Sequence, residues 1–132
     1  MSFLSLKNVS YAYSQGQPAV DDISLDFDLG EAVAIIGQNG AGKTTTVKMM
    51  DGLIRPQAGS VILDGKDTKE QSVAELSHIV GYVFQNPDDQ IFQNSVAKEI
   101  AFSLRKMKLP KDEIEKRVQQ AADICHLTDK LN

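Results

Sequence analysis

The sequence predicts an α/β domain in which an antiparallel β layer leads into a strand, a glycine-rich loop and a helix. Two observations carry this. Ala32-Val33-Ala34-Ile35-Ile36 is short, apolar throughout and partly β-branched, as a strand buried on both faces of a parallel sheet reads. Directly after it, Gly37-Gln38-Asn39-Gly40-Ala41-Gly42-Lys43-Thr44-Thr45 fits G-x-x-x-x-G-K-[ST], the pattern of a loop that cradles phosphates.

The chemistry of that loop follows from its residue types. Gly37, Gly40 and Gly42 let the backbone curl until successive N–H groups point at an anion. Lys43 adds a mobile positive charge for β- and γ-phosphates, and the Thr44 hydroxyl is a hard oxygen ligand suited to Mg²⁺. Lys43 to Leu53, with Val47, Met50 and Leu53 at helical spacing, predicts a helix whose positive dipole end faces the phosphates. A chance match of the pattern in a chain of this length arises about once in a few hundred sequences. The flanking strand and helix lower that further, so binding of a nucleoside triphosphate is the expectation.

The other elements read in chain order. Leu4 to Tyr13 alternates large with small or polar side chains, as a one-faced strand does, and Ser14 to Pro18 is a turn by composition. Ile23 to Leu29 alternates again and stops at Gly30. Arg55 to Gly59 makes a turn, and Ser60 to Lys66 a strand that runs into Asp64-Gly65. An aspartate ending an apolar strand can hold Mg²⁺, but Gly65 follows where such sites usually carry a carboxylate, so Asp64 reads as a turn residue. Val73 to Leu76 predicts a short helix and Ile79 to Phe84 a strand entering Gln85. Ser95 is placed to cap a helix bearing Val96, Ile100, Leu104 and Met107. Pro110 starts another, with Ile114, Val118, Ala121 and Cys125 along one side and Lys111, Asp112, Glu115 and Lys116 on the polar face.

Bulk properties exclude several classes. The 132 residues suit one domain, and 14 Lys and Arg against 18 Asp and Glu give a net charge of −4. That balance argues against nucleic acid as the main partner. Cys125 stands alone, so no internal disulfide forms; it reads as a small apolar residue on a buried helix face. No apolar run approaches the ~18 residues of a membrane span, so a link to the membrane is expected through a partner protein. His78 and His126 lack a second ligand at metal spacing and read as surface or boundary residues.

Taken together, an aromatic in the first strand, Gly30-Glu31, the phosphate loop and Val83-Phe84-Gln85 resemble the nucleotide-binding subunit of an ABC transporter over the whole chain. The longer string Val83 to Phe92 is similar to the energy-coupling factor (ECF) group, whose paired ATPases power uptake of vitamins and metal ions. The resemblance implies a P-loop NTPase fold of the ABC ATPase type that binds ATP and Mg²⁺. It implies that Gly37 to Thr45 hold the nucleotide and that Lys43 and Gln85 serve catalysis, with Thr44 and Gln85 facing Mg²⁺. Tyr13 is implied to stack on adenine, a contact worth roughly 1–3 kcal/mol. Half-buried packing is its alternative reading, and packing is the expectation for Tyr11. Asp88, Asp89, Gln90 and Phe92 are implied to edge a groove for a short helix of a transmembrane coupling subunit. A second ATPase subunit, as homo- or heterodimer, and a peripheral place on the cytoplasmic face of the membrane complete the picture.

The chain departs from the family pattern at its end. The signature helix, the Walker B strand ending Asp-Glu and the switch histidine do not occur in it, so residues 1–132 read as the N-terminal part of the nucleotide-binding domain. General-base activation of water needs a placed carboxylate, and none substitutes for the missing one, so this chain alone is not expected to hydrolyse ATP. Without the Walker B strand, the run 32–36 is expected to leave unpaired edges and exposed apolar surface. Two rival readings are a nucleotide-binding fragment without turnover and a soluble ABC ATPase not tied to transport.

Overall fold

A computed structural model describes residues 2–132, which fall into two compact units, one ending at Tyr82 and the other Val83–Asn132. In the first, β1 (Leu4–Tyr11), β2 (Val20–Phe27), β3 (Ala58–Leu63) and β4 (Lys66–Asp67) form one antiparallel sheet in the order β2-β1-β3-β4. Leu6 and Val9 of β1 both enter the core, beside Val20, Val61 and Met49 of the helix α1 (Lys43–Met50). At three residues apart they share a face only because the alternation is broken between them. Tyr11 packs against the same cluster, as expected. The sheet is not regular throughout. Pairing of β1 with both neighbours shifts register near Asn8, whose φ is 50°. Gly59 has a φ of 77°, and a Cβ there would lie 2.3 Å from the carbonyls of Lys7 and Asn8, so only glycine lets β3 pass this irregularity.

Asp64 and Gly65, both at positive φ, make the tight turn between β3 and β4 that the Asp-Gly pair predicts. Helix α1 is shorter than its apolar spacing suggests. Gly52 adopts φ 80° after Asp51, and the Ile54 N–H turns back to the Lys48 carbonyl at 3.0 Å. Leu53 therefore leaves the helix and is exposed. Helix α2 (Val73–Leu76) occupies the expected span.

Two expected strands form no ladder among the described residues. Residues 32–36 and 79–84 are not helical and lie outside the four strands of the described sheet, and Ile36 and Val83 are 91% and 85% exposed. The physical reason is that a parallel strand exists only through its neighbours' hydrogen bonds, and the described sheet is antiparallel.

The second unit contains α3 (Val96–Lys106) and α4 (Lys111–Ile124). Ser95 caps α3 by accepting from the Lys98 N–H at 3.3 Å, and Pro110 sits just before α4. Ala101 of α3 and Val118 and Ala122 of α4 are buried. Cys125 corrects the sequence reading: it ends α4 and is exposed. The buried stripe runs through Ala122, because the helix closes at Ile124 before Cys125 can continue the face.

Candidate functional site

The phosphate loop has the conformation its glycines predict. Gly40 and Gly42 lie at φ 82° and 89°, and the Ala41 N–H closes a turn onto the Gln38 carbonyl at 3.1 Å. Gly42 is required in this place. A Cβ would sit 2.3 Å from the Ala19 carbonyl, so the loop reaches the sheet only because that side chain is absent. Gly42 also precedes the first turn of α1, which has no side-chain cap and no acidic residue. The Gly42 carbonyl receives both the N–H and the hydroxyl of Thr46, at 2.9 and 2.8 Å. The start of the helix is thereby locked to the loop.

Lys43 folds its ammonium back over the curl, where it donates to the carbonyls of Gly37 at 2.5 Å and Gln38 at 2.7 Å. These bonds are the sort that an entering polyphosphate exchanges for stronger charge-assisted ones. Thr44 is exposed and Thr45 is buried. Their surroundings differ accordingly: Thr44 is open to solvent, whereas the Thr45 hydroxyl is bonded to the Tyr13 hydroxyl at 2.8 Å. Beside the loop lies a depression of about 300 Å³ whose walls include Val20, Ile35, Ala41, Gly42 and Lys43. That volume is at the lower end of small-molecule sites.

Tyr13 lies two residues past the end of β1 and is 64% exposed. Its ring meets Tyr11 edge to face, with centroids 5.0 Å apart and planes at 84°. The Tyr13–Thr45 bond ties this tyrosine to the start of α1, next to the phosphate loop.

Gln85 belongs to the second unit and is exposed. It opens a loop braced by side chains that sequence reasoning did not assign to bracing. Asn86 caps the short turn Pro87–Asp89 by accepting from the Asp88 N–H at 3.2 Å. Gln90 accepts from the Phe84 N–H at 3.3 Å. Glu99, in the first turn of α3, accepts from the N–H groups of Phe92 and Gln93 at 3.2 and 2.8 Å. The only sequence signal for Glu99 was an acid in a helix's first turn, which usually means nothing beyond the dipole. Ile91 and Phe92 are 57% and 64% exposed, and Phe92 meets Phe102 edge to face at 4.7 Å.

ATP and Mg²⁺ place definite demands on this geometry. Among the described residues no cluster of His, Cys, Asp and Glu could hold a metal by itself. A loop that offers amides, an ammonium and one open hydroxyl instead suits a metal that arrives with phosphate oxygens, as Mg²⁺ does. The residues fit.

These features define a protein of the phosphate-loop nucleotide-binding class. More narrowly, the chain belongs to the ABC transporter family, whose pattern matches residues 20–132. It is 48% identical over 124 residues to a Pyrococcus furiosus protein named as an ABC transporter ATP-binding protein, covering 94% of this chain and 47% of that one. It is 41% identical over 122 residues to the energy-coupling factor transporter ATP-binding protein EcfA of Methanothermobacter thermautotrophicus, covering 91% and 39%. Among solved structures, CbiO1 of Clostridium perfringens, described as part of the ABC transporter complex CbiONQ, superposes with a TM-score of 0.86 at 34% identity. That match covers 99% of this chain and 53% of CbiO1. An ATP-binding cassette solved as a dimer in a post-hydrolysis state with ADP and Pi superposes at 0.78 with 27% identity, covering 93% and 57%. The chain spans less than half the length of these curated relatives, 47% of the first two and as little as 21% of others. The fold is thus of the ABC ATPase type, with an antiparallel β layer at its N-terminus. No helix among the described residues is long and apolar enough to cross a membrane.

Proposed function

We propose that this chain is the nucleotide-gripping N-terminal part of an ABC transporter ATPase of the ECF type, whose complete form couples ATP hydrolysis to import of a vitamin or metal ion. The observation that carries the reading is the phosphate loop, with Gly42 wedged against Ala19 and the Lys43 ammonium held over the curl. Likeness to EcfA and to CbiO1 supports the ECF type.

The residues divide the work. The amides of Gly37 to Thr45 bind the β- and γ-phosphates, and Lys43 exchanges its two carbonyl partners for their oxygens. The Thr44 hydroxyl and, in the second unit, the Gln85 amide each offer an oxygen of the hard type that would suit Mg²⁺. Magnesium supplies charge neutralisation on the phosphate oxygens. Tyr13 presents its exposed face to the base. A second ATPase subunit completes the clamp, and the loop Gln85 to Phe92 docks a helix of a transmembrane coupling subunit. Exposed Ile91 and Phe92 beside Asp88 and Asp89 give that contact its apolar floor and polar rim. The protein accordingly works on the cytoplasmic face of the membrane, bound there through its partner, and nucleic acid is not among its partners.

Isothermal calorimetry with Mg·ATP tests the central claim. Lys43→Ala is expected to remove measurable tight binding while the fold persists by circular dichroism. Micromolar affinity retained in that variant sinks the assignment.

A further inference from the structure

The loop after β1 contains a contact with no part in the phosphate site. Gln57, at the turn before β3, donates its backbone N–H to the Ser10 carbonyl at 2.9 Å. Its side-chain amide then grips the next link of the chain at both groups. Oε1 accepts from the Ala12 N–H and Nε2 donates to the Ala12 carbonyl, each at 3.0 Å. The β1–β3 ladder ends at Ser10 opposite Ala58, so this amide substitutes for backbone that the ladder no longer supplies. It extends the pairing to the residue before Tyr13. On the other side, the Ala19 N–H holds the Tyr11 carbonyl at 2.8 Å.

Tyr13 is therefore fixed at both ends while much of its surface stays exposed. Its backbone follows a clamped Ala12, its hydroxyl is tied to Thr45 at 2.8 Å, and the residue remains 64% exposed. A ring held in place this way loses little freedom when a flat ligand lands on it, which is the physical content of preorganisation. Ordinary packing would instead bury the ring and leave the hydroxyl free to find solvent.

We propose that Gln57 is a positioning residue for the nucleobase, acting through Ala12 to set the plane of Tyr13. The proposal rests on the reading of Tyr13 as the base platform. Chemically it concerns the aromatic base of a nucleoside triphosphate and leaves the phosphates untouched.

Calorimetry on the chain with two probes tests it: Mg·ATP, and magnesium tripolyphosphate, which has no base. Gln57→Ala is expected to weaken ATP about three- to tenfold, the range of a lost hydrogen-bond pair of this type. Tripolyphosphate affinity should stay within about twofold, since the loop amides and Lys43 are unchanged. Gln57→Glu keeps the size and one acceptor but sets an oxygen against the Ala12 carbonyl, so the same selective loss is expected there. It serves if the alanine variant folds poorly. Tyr13→Ala should weaken ATP roughly five- to a hundredfold, and adding Gln57→Ala to it should change nothing further. Equal loss for both probes in the Gln57 variants, or additive loss in the double variant, overturns the proposal. If Tyr13→Ala leaves the preference for ATP over tripolyphosphate intact, the base-platform reading falls and the proposal with it. If Tyr13→Ala loses that preference and Gln57→Ala does not, only the proposal falls. Failure of the unaltered chain to bind ATP overturns both.

Discussion

Asp51 shows how a single carboxyl can work against the helix it terminates. It ends α1 and is 6% exposed; its Oδ1 accepts from the Leu53 N–H at 2.9 Å, and its buried Oδ2 has no partner. Burial pushes its pKa above the ordinary 3.8, and the Leu53 bond and the nearby Lys48 only partly counter that. The C-terminal end of a helix is also its negative end, where a carboxylate is unfavourable by about 0.3–1 kcal/mol. The sign follows from proton binding. The folded chain holds this proton more tightly than the unfolded one, so stability is greatest below the ordinary value and declines as pH rises through the raised one. Asp51→Asn keeps the bond to Leu53 and removes the charge. It is expected to stabilise the chain by about 0.5–1 kcal/mol at pH 7 and by little near pH 3. Urea unfolding at the two pH values checks this, and a less stable variant at pH 7 refutes it.

At the scale of elements, caps explain which short segments persist. Helix α2 has four residues, far too few to form by propensity, yet Ser72 and Glu75 close a capping box around its first turn. The Ser72 hydroxyl accepts from the Glu75 N–H at 3.2 Å, and Glu75 accepts from the Ser72 N–H at 2.7 Å. The turn delivers Leu76, which is fully buried and lies where a Cβ on Gly52 would come within 2.4 Å of it. One short element thus covers the end of α1. Ser72→Ala is expected to destabilise the chain by about 1 kcal/mol, read as a lower urea midpoint with an unchanged slope. The Ser72 bonds also hold the Glu75 carboxyl below its ordinary 4.5. Their stabilisation is therefore complete above that value and fades as the pH falls through the lowered one. Ser72→Ala keeps the backbone donor to Glu75 and loses the Oγ acceptor of the Glu75 N–H, which does not titrate. Most of its deficit should therefore remain at pH 3, and a deficit that vanishes there would contradict the capping account.

Over the whole molecule, the parts legible in the sequence were those specified by short-range chemistry. Gly40, Gly42 and Lys43 announced the loop, Ser95 and Pro110 announced α3 and α4, and Asp64-Gly65 announced its turn. Less legible were features set by residues far apart in the chain. Gln57 looks like one more polar turn residue until Ala12 is seen 45 positions away in its grip. Cys125 looked buried because periodicity cannot tell where a helix stops. The same limit applies to residues 32–36, whose composition names a strand but cannot supply the partner it needs. That leaves Ile36 at 91% exposure, a liability since exposed apolar chain edges invite association. Ile36→Ser is expected to change the unfolding free energy by no more than about 0.5 kcal/mol, as for other exposed sites. It should at the same time lower the light scattering that develops in concentrated solution. In a core, the same substitution would cost about 2–5 kcal/mol, so the size of the loss separates the two situations. A large loss with unchanged scattering would mean that Ile36 is covered in solution and that this run finds a partner strand after all.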